Sequence, residues 1–145
     1  MKAYLTRRYW FSASHRLHND ALSADENWAT YGKCNNPHGH GHNYALEVTV
    51  AGTVDPRTGM VFDLVELDTI VQREVLDRFG HENLNLLPDF KAIVPTSENL
   101  AECIFNILQP EILKRTFHAT HLEKVRLDET AQNVFEYAGG AELRH

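Results

Sequence analysis

The sequence predicts an α+β fold with the element order ββααββ. Three observations support it: apolar and polar residues alternate near both ends of the chain, apolar residues recur at helical spacing in the middle, and turn-forming residues separate these segments. Because the strands are grouped apart from the helices, we expect a four-stranded antiparallel sheet with both helices on one face. The length of 145 residues fits a single domain covering residues 1–145.

Two strands are predicted before the first helix. The first covers residues 3–15, where Trp10 interrupts an otherwise regular alternation of apolar and polar residues. The second covers residues 43–51. The polar stretch between them, residues 16–39, is longer than an ordinary connection, and we interpret it as a functional loop. The predicted apolar face of the second strand consists of Tyr44, Leu46, Val48 and Val50.

Two helices and two strands complete the predicted order. The first helix covers residues 64–79, with a capping-box spacing that begins at Asp63 and with Gly80 as a left-handed C-terminal cap. The second helix covers residues 97–109, and Pro110 is expected to end or kink it. The last two strands are predicted around residues 125–127 and 134–137, on either side of a turn at 130–132.

Composition excludes several classes of protein. Hydrophobic residues make up 43% of the chain and charged residues 23%, which is typical of a folded globular domain. The net charge of -6 has the wrong sign for a protein that binds nucleic acid or an anionic membrane. No stretch of about 18 apolar residues occurs, and charged residues interrupt the first 15 positions, so we expect a cytoplasmic protein. The two cysteines provide no disulfide framework.

Histidine is the residue type that points to chemistry, with nine copies in the chain. His40 and His42 begin the second predicted strand, and alternate residues of a strand project from the same face. His15, at the end of the first strand, reaches the same point if the two strands pair antiparallel. Three neutral imidazoles with an open fourth position are typical of a catalytic zinc site. His38 is a further candidate ligand, which the spacing alone does not exclude.

The two cysteines lie in different surroundings. Cys103 lies in an apolar helical segment and is interpreted as part of the core. Cys34 lies in a polar, turn-rich segment beside Lys33, where a nearby cation and a metal would favour the thiolate. Cys34 is therefore a candidate base or nucleophile, and the alternatives are a fourth zinc ligand or an idle loop thiol.

The segment Cys-Asn-Asn-Pro-His-Gly-His-Gly-His-Asn-Tyr, at residues 34–44, is the most specific of five segments that lie in order along almost the whole chain. Together these segments resemble the 6-pyruvoyl-tetrahydropterin synthase family. The resemblance implies the tunnelling fold, a four-stranded antiparallel sheet with two helices between its second and third strands. It also implies subunits that close into a barrel as a homotrimer, usually stacked as a homohexamer. The five segments are residues 11–15, 32–44, 81–84, 96–99 and 129–130.

The same resemblance implies a role for each site residue. A carboxylate suits a pterin because it accepts two parallel hydrogen bonds from the ring N–H and the amino group. The implied roles are zinc ligation by His15, His40 and His42, catalysis by Cys34 and His81, and pterin anchoring by Glu129 with Thr96, Ser97 and Glu98 near the same pocket.

One position departs from the family pattern. An aspartate normally precedes the catalytic histidine and orients it, and here the residue is Gly80. The candidates to replace that carboxylate are Asp77, Glu82 and Asp89.

The reaction implied by the resemblance converts 7,8-dihydroneopterin triphosphate to 6-pyruvoyl-tetrahydropterin with loss of triphosphate. One alternative is 6-carboxy-tetrahydropterin synthase of the queuosine route, whose members typically have fewer residues between the cysteine and the His-Gly-His motif than the five found here between Cys34 and His40. A second alternative, motivated by Gly80, is a non-catalytic homologue that binds zinc and a pterin. The candidate cations for the triphosphate are Arg7, Arg8, Arg16 and Lys33.

Overall fold

The computed structural model describes residues 1–115 and 120–140. Within these residues the strands are β1 (Lys2–His15), β2 (His40–Thr53), β3 (Glu82–Asn83), β4 (His121–Asp128) and β5 (Val134–Tyr137). The α-helices are α1 (Ala24–Tyr31), α2 (Leu64–Val71), α3 (Asp77–Phe79) and α4 (Ser97–Leu113). None of the described helices is both long enough and apolar enough to cross a membrane.

The sheet has five strands in the order β3-β1-β2-β4-β5. The four longer strands pair antiparallel, as the sequence predicts. The fifth strand, β3, was not predicted, and it runs parallel to β1 through the pairs Ala13–Glu82 and Ser14–Asn83. The sheet is therefore mixed rather than purely antiparallel. The backbone of His81 has a φ of 61°, and its N–H donates to the carbonyl of Ser12, which brings the chain alongside the end of β1.

One face of the sheet packs against the helices and forms the core. Alternate residues of β1, including Tyr9 and Phe11, are buried there together with the predicted apolar face of β2. Trp10 is 68% exposed on the opposite face, so the alternation continues through this position and Trp10 does not interrupt the strand. Polar pairs such as Arg8–Glu47 occupy that opposite face.

The first predicted helix is confirmed over its full length, with an irregular middle. A π-helical segment, Gln72–Leu76, joins α2 to α3, so the backbone is helical from Leu64 to Phe79. The prediction of a left-handed cap at Gly80 is wrong, because its φ is -63° and the left-handed residue is His81. Glycine is required at position 80 for a different reason: a Cβ there would lie 2.5 Å from the carbonyl oxygen of Leu76.

Two further differences concern helices. Pro110 does not end the second predicted helix, because α4 continues to Leu113. Ile112, beyond the proline, is fully buried, and its packing offsets the backbone hydrogen bond that proline cannot donate. α1 lies inside the stretch predicted as a loop. It begins with a capping box formed by Ser23 and Glu26, a signal present in the sequence and overlooked.

Candidate functional site

Three histidines meet where β1 ends and β2 begins. The antiparallel register places His15 opposite His40, and His42 projects from the same face of β2 two residues later. One ring nitrogen of each lies within 4.8 Å of the other two. The Nε2 atoms of His15 and His40 are 2.9 Å apart. Within the described part of the chain, neither Cys34 nor His38 belongs to this group.

His15 is held in one orientation by a backbone carbonyl. Its Nδ1–H donates to the carbonyl oxygen of Pro95 over 2.7 Å, which leaves the lone pair of Nε2 directed at the other two imidazoles. Burial lowers the pKa of His15, although the bond to Pro95 opposes this, and proximity to His40 and His42 lowers it further. Burial also lowers the pKa of His40. Both rings are therefore neutral near pH 7, the form that binds a metal.

The chemistry of this cluster fits a zinc ion. The Nε2 atom of His42 is buried and has no hydrogen-bond partner among residues 1–115 and 120–140. A buried nitrogen without a partner costs free energy, and a metal shared with the other two nitrogens removes that cost. Zinc accepts three imidazole ligands at about 2.0–2.1 Å and retains an open position for a further oxygen.

A carboxylate lies beside the three imidazoles. Glu129 follows the end of β4, and its Oε2 atom is 3.8 Å from Nε2 of His15 and 3.9 Å from Nε2 of His42. The hydroxyl of Ser97, in the first turn of α4, donates to the same oxygen over 2.5 Å. The structure therefore brings two of the four predicted pterin-binding residues to the histidine cluster.

The other two predicted pterin-binding residues have different surroundings. The hydroxyl of Thr96 caps α4 by accepting a hydrogen bond from the N–H of Asn99. Glu98 is exposed on the first turn of the same helix.

Tyr44 also reaches this region, and the sequence prediction assigned it only to the core. Its ring centroid is 5.6 Å from that of His42, and the charge of Glu129 acts on its hydroxyl. The signal available in the sequence was its position two residues after His42, on the same face of the strand.

Neither of the two predicted catalytic residues belongs to the histidine cluster in the described part of the chain, and their surroundings differ. Cys34 is half-buried in a short 3₁₀ turn, and its carbonyl accepts a hydrogen bond from the N–H of Leu17, which fastens this turn to the end of β1. His81 is exposed and lines a cavity of about 500 Å³ that also reaches His42. The remaining residues that line this cavity are Ser12, Ala13, Ser14, Gly41, Asn43, Glu82 and Asn83.

The three carboxylates that could replace the family aspartate are distinguished by their contacts. Asp77 accepts a hydrogen bond from the side chain of Gln72. Asp89 forms an ion pair of 2.6 Å with Arg78. Only Glu82, of these three, lines the cavity that contains His81.

Comparison with known proteins agrees with the resemblance noted in the sequence. The sequence pattern of the family described as 6-pyruvoyl tetrahydropterin synthase matches residues 4–140. The chain belongs to this family. A relative named 6-pyruvoyl tetrahydrobiopterin synthase, from Drosophila melanogaster, is 44% identical over 138 residues, covering 94% of this chain and 80% of the relative. The relative of the same name from Homo sapiens is 42% identical, covering 95% of this chain and 92% of the relative.

A solved structure extends this likeness to the whole fold. The 6-pyruvoyl tetrahydropterin synthase of Caenorhabditis elegans superposes with a TM-score of 0.86 at 42% identity, covering 97% of each chain. The α+β architecture described above is therefore that of the 6-pyruvoyl tetrahydropterin synthase family.

Proposed function

We propose that the protein is a zinc-dependent 6-pyruvoyl-tetrahydropterin synthase, a lyase that converts 7,8-dihydroneopterin triphosphate to 6-pyruvoyl-tetrahydropterin and releases triphosphate. The observation that carries the proposal is the convergence of His15, His40 and His42, together with the buried Nε2 of His42, which has no hydrogen-bond partner among the described residues. Relatives that share more than two fifths of the sequence are named 6-pyruvoyl tetrahydrobiopterin synthases, which supports the same reaction class.

The three histidines would hold the metal, and the residues around them would orient the substrate. Zinc bound there would acidify the substrate's side-chain hydroxyls and stabilise the developing negative charge on oxygen. Pro95 keeps the Nε2 lone pair of His15 available for the metal. Glu129, held by Ser97, would receive the pterin ring N–H and amino group beside this centre.

Proton transfer is the role proposed for Cys34, with His81 as its partner. A thiol can remove a proton from carbon and return it, and an imidazole can relay that proton. His81 shares a cavity with His42, whereas the turn that carries Cys34 is fastened to the residues just after His15. Both groups thus lie on segments adjacent to the metal ligands.

The proposed assembly is a homotrimer or homohexamer with sites between subunits. In the described part of the chain, β3 covers β1 only at Ala13 and Ser14, so most of β1 forms one edge of the sheet and β5 forms the other. Closing a barrel pairs such exposed edges. Sedimentation at micromolar concentration tests this proposal, and a monomer would count against it.

A second candidate function is favoured by Gly80, which removes the family's orienting aspartate. In this alternative, the protein binds zinc and a pterin but does not convert the pterin to a product. The deciding experiment incubates the zinc-loaded protein with 7,8-dihydroneopterin triphosphate and identifies the product by mass. A product with the mass of 6-pyruvoyl-tetrahydropterin supports the synthase, a 6-carboxy product assigns the sister activity, and binding without turnover assigns the non-catalytic homologue.

A further inference from the structure

Among the described residues, the hydroxyl of Tyr44 is, after Nε2 of His42, a second buried polar group in the site that makes no hydrogen bond. The side chain is fully buried, and its ring stacks on Phe11 with centroids 5.1 Å apart. Within the part of the chain that the structure describes, no group meets both the distance and the angle of a hydrogen bond to the hydroxyl, although the side chain of Ser97 is close enough to interact with it. In that same part of the chain, His42 also has a buried nitrogen without a partner, and it projects from the same face of β2.

A phenylalanine at position 44 would occupy the same space without burying a hydroxyl. Burying a hydroxyl that makes no hydrogen bond destabilises a folded protein, and the shape of the ring does not require the oxygen. Packing therefore accounts for the ring of Tyr44 and leaves its hydroxyl unexplained. A partner for that hydroxyl in the metal-loaded protein would explain it.

Glu129 offers a charged acceptor in the same region, because its Oε2 atom lies close to His42 and the ring of Tyr44 packs against that of His42, with centroids 5.6 Å apart. A phenol hydroxyl carries its proton near pH 7 and can donate to a carboxylate. Ser97 already donates to Oε2 of Glu129. That oxygen lies 3.8 Å from Nε2 of His15 and 3.9 Å from Nε2 of His42, so a cation held by the histidines attracts the carboxylate.

We propose that Tyr44 is a positioning residue whose hydroxyl donates to Glu129 when the histidine cluster holds its metal. With Ser97, it forms a pair of donors that fix the carboxylate beside the metal. Groups of this kind around a metal site affect its affinity even though they do not touch the ion. The inference rests on the proposed function only in its assumption that the three histidines bind zinc.

The test compares the full-length wild type with Tyr44→Phe and with a matched control, Tyr9→Phe. The hydroxyl of Tyr9 donates to Asp68 over 2.7 Å, at a site on β1 formed by residues outside the histidine cluster. Zinc affinity is measured by competition with a chromophoric chelator, and the melting temperature of the metal-free protein is measured separately. We expect Tyr44→Phe to weaken zinc binding by about 10- to 100-fold while leaving the metal-free melting temperature unchanged or higher. Tyr9→Phe should lower the melting temperature and leave zinc affinity unchanged.

A double-mutant cycle shows whether the effect passes through Glu129. In a Glu129→Gln background, Tyr44→Phe should weaken zinc binding by much less than it does in the wild type. Equal zinc affinity in wild type and Tyr44→Phe overturns the inference alone, as does a fall in the melting temperature of metal-free Tyr44→Phe. A wild type that takes up no zinc overturns both this inference and the proposed function.

Discussion

The Nδ1 atom of His15 lies 2.7 Å from the carbonyl oxygen of Pro95, which is 80 residues later in the chain. Pro95 immediately precedes Thr96, the N-cap of α4, so this bond ties the start of a helix to the end of β1. It also fixes which nitrogen of His15 carries the proton. A single contact between two elements thus prepares one ligand of the proposed metal site.

The first prediction concerns the metal ligands. His40→Ala and His42→Ala should each abolish stoichiometric zinc, because two imidazoles do not complete a tight site. The matched control is His38→Ala, two residues before His40, exposed and outside the cluster. Metal analysis of the purified proteins is the measurement. If both cluster variants retained one zinc per chain, the ligand assignment would be wrong.

The second prediction concerns pH and the metal-free protein. Burial lowers the pKa of His15 and of His40 below the ordinary value of 6.5. The unfolded chain therefore takes up protons before the folded protein does, so stability is complete above about pH 6.5 and is lost as the pH falls toward the folded pKa values. The melting temperature should fall between pH 7.5 and 5.5, and His40→Gln should reduce that fall. If the melting temperature of His40→Gln fell with pH as steeply as that of the wild type, the role of His40 in this pH dependence would be contradicted.

Most of the sheet could be predicted from the sequence, because a strand with one buried face shows apolar and polar residues in alternation. The pairing of His15 with His40 follows from the same pattern, given an antiparallel register. The short strand β3 could not be predicted, since two residues carry no periodicity and their position depends on the left-handed backbone at His81. The hydroxyl of Tyr44 was overlooked for a related reason: an aromatic residue on an apolar face indicates core, and only the folded structure shows which polar atoms lack partners.

The third prediction concerns Gly80. Gly80→Ala and Gly80→Asp should both destabilise the protein by about 1–3 kcal/mol, because a Cβ at this position would lie 2.5 Å from the carbonyl oxygen of Leu76. Denaturant unfolding measures this, and the alanine variant separates the effect of the Cβ from that of the carboxylate. If His81 lacks an orienting acid, turnover per folded molecule should be higher in Gly80→Asp than in Gly80→Ala. Wild-type stability in both variants would refute the steric argument.

The fourth prediction distinguishes the two predicted pterin-binding carboxylates. Glu129 lies beside His15 and His42, so Glu129→Gln should weaken both zinc and pterin binding, zinc by about 10- to 100-fold. Glu98 is exposed, so Glu98→Gln should leave zinc affinity unchanged and affect only the pterin. Chelator competition and fluorescence titration with 7,8-dihydroneopterin measure the two affinities. Loss of zinc in Glu98→Gln would show that the assignment of roles is incorrect.

The fifth prediction separates the enzyme from the non-catalytic homologue by comparing the two cysteines. Burial, with the charge of Asp89, raises the pKa of Cys103 to about 11, so its thiol stays protonated and unreactive at pH 8. Iodoacetamide should therefore label Cys34 first, and prior zinc loading should not remove that labelling if Cys34 is not a ligand. Cys34→Ala should keep zinc and pterin binding and lose turnover by roughly 10²–10⁴-fold, whereas Cys103→Ala should keep turnover.

Three measurements on the same preparations distinguish the synthase from the non-catalytic homologue: zinc content, pterin affinity and the product formed from 7,8-dihydroneopterin triphosphate. Loss of zinc in Cys34→Ala would make the thiol a ligand, in conflict with a cluster that contains only histidines among the described residues. If wild type and Cys34→Ala were equally inactive while both bound the pterin, the synthase would be excluded. In an enzyme that uses Cys34 as a general acid or base, removing the thiol must lower turnover. The non-catalytic homologue would then account for Gly80 as well.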